Sequence, residues 1–143
     1  MNMKQKIQGG ETLFTAWSSI PDPITAGIVA SSAFDAVTLD MQHGGHSDES
    51  VLRCIGPVIQ NGAHAVVRVP VGRFDMASRA LDFGAEAVIA PMINTIEDAK
   101  AFAGSMKYPP LGERSWGPGR AMGFHGHSDP NAYFLAANSE TLA

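Results

Sequence analysis

Three copies of one short pattern constrain this chain more than any other feature. Ala33-Phe34-Asp35-Ala36-Val37, Gly62-Ala63-His64-Ala65-Val66 and Gly84-Ala85-Glu86-Ala87-Val88 each run small, apolar, polar, Ala, Val. Each opens a short β-branched run, at Val37 to Asp40, Val66 to Pro70 and Val88 to Ile93. A repeated strand that is followed each time by helical signals is one supersecondary unit copied along the chain.

The helical signals are specific. From Ser47 to Gln60, Ser47 suits the cap, Asp48 and Glu49 suit the positive end of the dipole, and Val51, Leu52, Ile55, Val58 and Ile59 form an apolar face. Pro57 lies within that face and predicts a kink or an early end. Asp75 to Phe83 reads as a second helix closed by Gly84, and Thr95 to Met106 as a third, stopped by Pro109 and Pro110. Upstream, Glu11 to Ser18 reads as a strand and Ile24 to Ser32 as a helix; downstream, Asn131 to Thr141 reads as a further helix. Residues 1–143 therefore form a single domain of four consecutive β/α units.

Strands alternating with helices at roughly 25 to 30 residues per unit pair in parallel through right-handed crossovers. An eight-stranded barrel and an open doubly wound sheet both meet that requirement. Pro21-Asp22-Pro23 stands where a dinucleotide fold would carry a glycine fingerprint, which favours the barrel. The expected fold is thus α/β, of the (β/α)8 TIM-barrel type. A full barrel needs about 250 residues, and this chain has 143, so the expectation is an incomplete barrel holding about the first four units.

In such folds the chemistry sits at the C-terminal edge of the strands. The segment that best fits that edge is Asp40-Met41-Gln42-His43-Gly44-Gly45, where an apolar run ends in an acid, a histidine and two glycines. Aligning the repeats by their pattern puts Asp40 opposite Val69, which would turn Arg68 to the wrong face of a flat sheet. The shear of an eight-stranded barrel slips the register by about one residue per strand, and that slip brings Asp40 and Arg68 to the same face.

Composition excludes some partners. The chain is 45% apolar with a net charge of −4, which leaves no basic footprint for nucleic acid or an anionic membrane surface. Met1 to Gly10 has no apolar segment of signal-peptide type, and no apolar run approaches membrane-spanning length, so a cytoplasmic location is expected. Cys54 is the one cysteine and reads as a small core residue.

Further fragments carry a resemblance. Phe34-Asp35 with Asp40-Met41-Gln42-His43-Gly44, then Val66-Val67-Arg68-Val69-Pro70, Leu81-Asp82-Phe83-Gly84-Ala85, Ala90-Pro91-Met92 and Tyr108-Pro109-Pro110-Leu111-Gly112-Glu113-Arg114-Ser115 resemble, in order and spacing, the HpcH/HpaI aldolase and citrate lyase family. The likeness runs from about Phe14 to the end of the chain. It implies a class II pyruvate aldolase that forms or cleaves 4-hydroxy-2-keto acids, giving a 2-keto acid such as pyruvate and an aldehyde. It further implies a divalent cofactor (Mg, Mn, Co or Zn) that stabilises the enolate, and a homo-oligomer. No Schiff-base lysine is required, and Lys100 and Lys107 read as solvated.

Carried over residue by residue, the resemblance makes His43 the base, Arg68 the stabiliser of the enolate oxygen, and Asp82 the acid paired with His43. Imidazole chemistry suits the first role and a permanent guanidinium charge the second. The alternatives are a core histidine bonded to backbone and a structural ion pair. Asp82 ends a helix, near the rim opposite the strand C-termini, so geometry makes Asp40 the better-placed partner of His43. Trp17 either lines the aldehyde pocket or packs the barrel, with packing favoured.

The family's metal ligands, a Glu and an Asp on later strands, would fall beyond Ala143, so no metal ligand is assigned in this chain. Asp40, His43 and His46 form a D-x-x-H-x-x-H string and His125-Gly126-His127 a second cluster, but neither spacing argues a catalytic metal. His46, after two glycines, reads as solvated. Gln42 stands where many relatives have Glu. Leu111 to Ser128 reads as a long surface loop packed by Trp116 and Phe124, or as an anion-receiving lid built on Arg114 and Arg120. On this reading the chain is a fragment of the enzyme, inactive alone. The other readings are an inactive half-barrel or interaction subunit, and a citrate lyase-like enzyme acting on acyl-CoA.

Overall fold

The computed structural model describes residues 1–143. A short helix, α1 (Met3–Gln8), precedes β1 (Thr15–Ser18), α2 (Pro23–Ala30), β2 (Ala36–Asp40), α3 (Asp48–Gln60), β3 (His64–Arg68), α4 (Phe74–Phe83), β4 (Ala87–Ile89) and α5 (Ile96–Met106). Two more helices follow, α6 (Gly119–Phe124) and α7 (Pro130–Glu140). The four strands form one parallel sheet in the order β1-β2-β3-β4, so spatial order equals chain order. No helix is long and apolar enough to cross a membrane.

Local chemistry accounts for the helix ends. Ser47 and Thr95 each accept a bond from the N3 amide and are answered by the N3 side chain, Ser50 and Asp98, in two capping boxes. Asp22 caps α2 ahead of Pro23, and Gly84 closes α4 at φ 116°, a conformation that only glycine adopts without strain. Pro57 does not end α3 early. The helix continues to Gln60, and both the amide and the side chain of Asn61 then bond the Pro57 carbonyl. The α1 and α6 helices had no counterpart in the pattern; each has only six residues, too few to show a periodic face.

Strand register separates two faces. Val37, Leu39, Ala65, Val67 and Val88 join α2 to α5 in a core of 20 buried residues, in which Cys54 is fully buried. On the other face, Thr15 and Trp17 pair with Ala36 and Thr38, while Ala36, Thr38 and Asp40 pair with His64, Val66 and Arg68. Val66 and Arg68 in turn pair with Ala87 and Ile89. Near the strand starts Ala36, Val66 and Ala87 form a small apolar layer capped by Met3 and Leu142. There Glu86 accepts both the His64 ring, at 2.7 Å, and the Met3 amide, at 2.9 Å.

The register differs from the pattern alignment by one residue at each step. Val37 pairs with Ala65 rather than Val66, and Val66 with Ala87 rather than Val88. That stagger is the slip expected of strands tilted as in a barrel. It places Asp40 opposite Arg68. After α7, Leu142 bonds alongside Ala87 and extends the sheet past β4 by one bridge.

Candidate active site

Asp40 and Arg68 are the last residues of β2 and β3 and face each other across the ladder. The Arg68 fork closes on the carboxylate with Nε donating to Oδ1 at 2.8 Å and Nη2 to Oδ2 at 2.7 Å. Oδ1 also accepts the backbone amides of Gln42 and His43. The bonds from Arg68 outweigh the opposing effect of burial and, with the two amides, hold the Asp40 carboxyl down to about 2. The pair is therefore ionised throughout the physiological range.

The guanidinium lies 4.6 Å from the centre of the Trp17 ring, on β1. Trp17, 50% exposed, packs against Arg68 on the face of the sheet opposite the helix-covered core. The stacked ring and the bidentate carboxylate fix the plane of the guanidinium. Its Nη1 has no hydrogen-bond partner within the chain.

His43 stands on the loop directly after β2 and is exposed. Its backbone is tied to Asp40, but its ring bonds neither candidate acid. Asp82 lies elsewhere, at the end of α4, where it accepts Arg114 Nη2 at 2.6 Å. A helix that follows a parallel strand runs back towards the strand starts, which carries its last turn away from the His43 rim. The structure thus joins Asp40 with Arg68 and Trp17, sets His43 on the adjoining loop, and leaves Asp82 outside the group.

The arginines of the long loop do not form a lid. Arg114 is fully buried, stacked on Tyr108 at 4.4 Å and bound to Asp82, and Arg120 donates to the Leu52 carbonyl and lies over Phe124. Trp116 packs with Tyr108, Tyr133 and Phe134. Lys107 is not solvated either. Its ammonium donates to the Asn138 and Thr141 carbonyls and to Thr141 Oγ1, closing the end of α7, and burial together with the charges of Lys4 and Arg114 pushes its pKa down to about 8. Lys100 is exposed, as its helical position predicts.

His46 is likewise buried, between Ser18 and Ser50. Its position four residues before Ser50, ahead of the Ser47 cap, was the available signal that it turns into the fold. His127 meets Glu140 at 3.4 Å. No group of three or more His, Cys, Asp or Glu side chains converges as a metal site. Asp40, the carboxylate at the strand edge, has both oxygens engaged by Arg68, and His43 supplies a single imidazole. These residues do not fit the divalent ion that the resemblance implies.

Comparison with known proteins agrees with this architecture. The family model described as HpcH/HpaI aldolase/citrate lyase matches residues 13–142. A hydroxypyruvate/pyruvate aldolase of Roseobacter denitrificans is 35% identical over 85% of this chain and 48% of its own. A 4-hydroxy-2-oxovalerate aldolase of Novosphingobium aromaticivorans is 30% identical over 97% of this chain and 52% of its own. The chain spans about half the length of these curated relatives. The solved HpcH/HpaI aldolase of Desulfitobacterium hafniense superimposes with a TM-score of 0.87 at 24% identity, over 99% of this chain and 55% of that one, a likeness that concerns the fold. The tilted parallel sheet is accordingly half of a TIM-type barrel, and the chain belongs to the HpcH/HpaI aldolase/citrate lyase family.

Proposed function

We propose that these residues supply the amino-terminal half of a 2-keto acid aldolase site, one that cleaves or forms 4-hydroxy-2-keto acids. The observation that carries this reading is the Arg68 guanidinium. It is pinned by Asp40 and Trp17 at the strand edge with Nη1 unengaged, one loop away from an exposed histidine.

In the cleavage direction His43 takes the proton of the substrate 4-hydroxyl. The C3–C4 bond breaks as the C4 carbonyl forms, and the bonding pair passes to C3 and by conjugation to the C2 oxygen. Arg68 Nη1 donates to that oxygen as its charge builds, and the aldehyde leaves. Protonation at C3 then gives pyruvate or a related 2-keto acid. A preorganised, permanently charged donor is effective here because it needs no reorientation when charge develops. Asp40 acts through Arg68 by fixing its plane, and through the backbone by holding the start of the His43 loop.

Family members generally depend on a divalent metal. Asp82 belongs to this proposal only as an acid outside the group that meets in one chain. A homo-oligomer and small-molecule substrates complete the reading. The direct test is exchange of the pyruvate methyl protons with solvent deuterium, followed by NMR, alongside retro-aldol release of pyruvate. Exchange that requires Arg68, and release that requires both Arg68 and His43, support the proposal. Exchange at an unchanged rate in Arg68→Ala overturns it, and no exchange in the wild-type chain or in its pairing with a carboxy-terminal half-barrel favours an inactive half-barrel.

A further inference from the structure

His46 has no part in the chemistry just described, yet it is built into the structure with care. It is 6% exposed, with Nε2 3.0 Å from Ser18 Oγ and Nδ1 3.1 Å from Ser50 Oγ. Ser18 ends β1, next to Trp17, and Ser50 lies in the first turn of α3. The ring, itself carried on the loop after β2, therefore ties that loop to the end of β1 and to the first turn of α3.

The backbone around it is equally close. Gly45 donates to the Ser19 carbonyl at 2.8 Å, and a Cβ on Gly44 would stand 2.5 Å from the Asp40 carbonyl oxygen and 3.0 Å from Ser19 Cα. A side chain at Gly44 would displace the backbone at Asp40, and one at Gly45 would press on the Ser19 carbonyl oxygen at 3.0 Å. Between Asp40, which accepts the Gln42 and His43 amides, and His46, which anchors the far side, the loop that carries His43 is fastened at both ends.

We propose that His46 is a positioning residue for His43: its neutral imidazole, bridging Ser18 and Ser50, clamps the β2 loop onto the end of β1 and so sets where the His43 ring stands. The inference rests on the reading of His43 as the base. The bond pattern assigns the tautomer. Ser50 Oγ donates to the Ser47 carbonyl at 3.1 Å and accepts the Ser47 amide at 2.8 Å. It therefore meets the ring as an acceptor, which makes Nδ1 the protonated nitrogen. Nε2 then accepts the Ser18 hydroxyl, whose other acceptor, the Ile20 carbonyl, lies farther away at 3.4 Å. Burial disfavours the charged ring, against the opposing pull of Asp40 on β2. The side chains that the ring bonds are the two neutral hydroxyls.

Imidazole nitrogen NMR of the 143-residue chain tests the clamp without any need for turnover. His46 is expected as the Nδ1–H tautomer. His46→Ala should shift or broaden the His43 ring signals and the Trp17 indole signal. His46→Gln, which offers one donor and one acceptor, should restore them at least in part. Should His46→Ala fail to fold, Ser18→Ala removes only the bond to Nε2 and is read in the same way. Signals of His43 that are unchanged in these variants, or an Nε2–H tautomer for His46, overturn the inference. Where the wild type exchanges pyruvate protons, the retro-aldol rate should fall tenfold or more in His46→Ala, as misplaced groups do, while the pyruvate KM changes less and His46→Gln recovers the rate. Absence of turnover in the wild type would count against the proposed function alone, because the NMR result still decides the clamp.

Discussion

Asp40 and Arg68 face each other across the β2–β3 ladder and share a two-pronged ion pair at the strand ends. One interaction thereby joins sheet register to the geometry of the candidate site. Arg68→Lys keeps the charge but replaces a planar fork with a flexible point charge. It should lose stability, because one point charge cannot make both bonds to the carboxylate, read as a lower urea midpoint. It should also slow pyruvate methyl-proton exchange.

The same pair sets an acid limit. Asp40 has a folded-state pKa of about 2, below its ordinary value of 3.8. The folded state therefore binds fewer protons than the unfolded chain in this interval. The contribution of the pair is complete above about pH 4 and is lost as the pH falls towards 2. Urea midpoints measured from pH 5 down to 2 should show the wild type losing its advantage over Asp40→Asn across that window. A constant gap would remove the assignment.

His43→Ala should lower the aldol step by about 10²-fold or more, the usual share of a general base. Pyruvate binding should change far less. Steady-state kinetics with a 4-hydroxy-2-keto acid separates the two effects, and unchanged turnover would take His43 out of the mechanism.

Asp82→Ala should be costly for a reason unrelated to catalysis. It strands the Arg114 guanidinium, which is fully buried and whose Nε and Nη1 already lack partners. Removing one member of such a pair typically costs about 3–5 kcal/mol, and partial exposure of the carboxylate places the expectation at the lower end. Thermal unfolding of Asp82→Ala beside Arg114→Met measures it, since the apolar replacement removes the buried charge as well.

The polypeptide should self-associate. The outer edge of β1 is unpaired, and Trp17, Ile89 and Met92 stand exposed along the strand-end side of the sheet. Sedimentation over a concentration series is expected to show dimers or larger species; a monomer throughout would refute the expectation.

Much of the fold was legible because it is written locally. Ser47, Thr95 and Gly84 mark helix boundaries through contacts within three or four residues, and the repeated Ala-Val pattern marks β2, β3 and β4. The register was legible only with the barrel slip added, because similarity between units shows where strands begin and not which residues share hydrogen bonds. At the candidate site the meeting of Asp40 with Arg68 was legible from their places at neighbouring strand ends. The partner of Asp82 was not, since Arg114 lies 32 residues away and nothing in either segment encodes their meeting. His46 and Lys107 misled for a related reason: a polar residue after glycines or at a helix end looks solvated until the groups that enclose it are known.

The sheet order β1-β2-β3-β4 follows the order of synthesis. Each strand pairs with the one made just before it, and each helix between them covers a ladder whose two strands are already present or next to emerge. A chain arranged in this way need not wait for distant segments to begin closing its core, because contacts between sequence neighbours are the ones that form fastest. Leu142, bonded beside Ala87, continues the rule. The growing edge of the sheet is always its newest strand, so the nascent polypeptide itself provides the template on which the following unit docks.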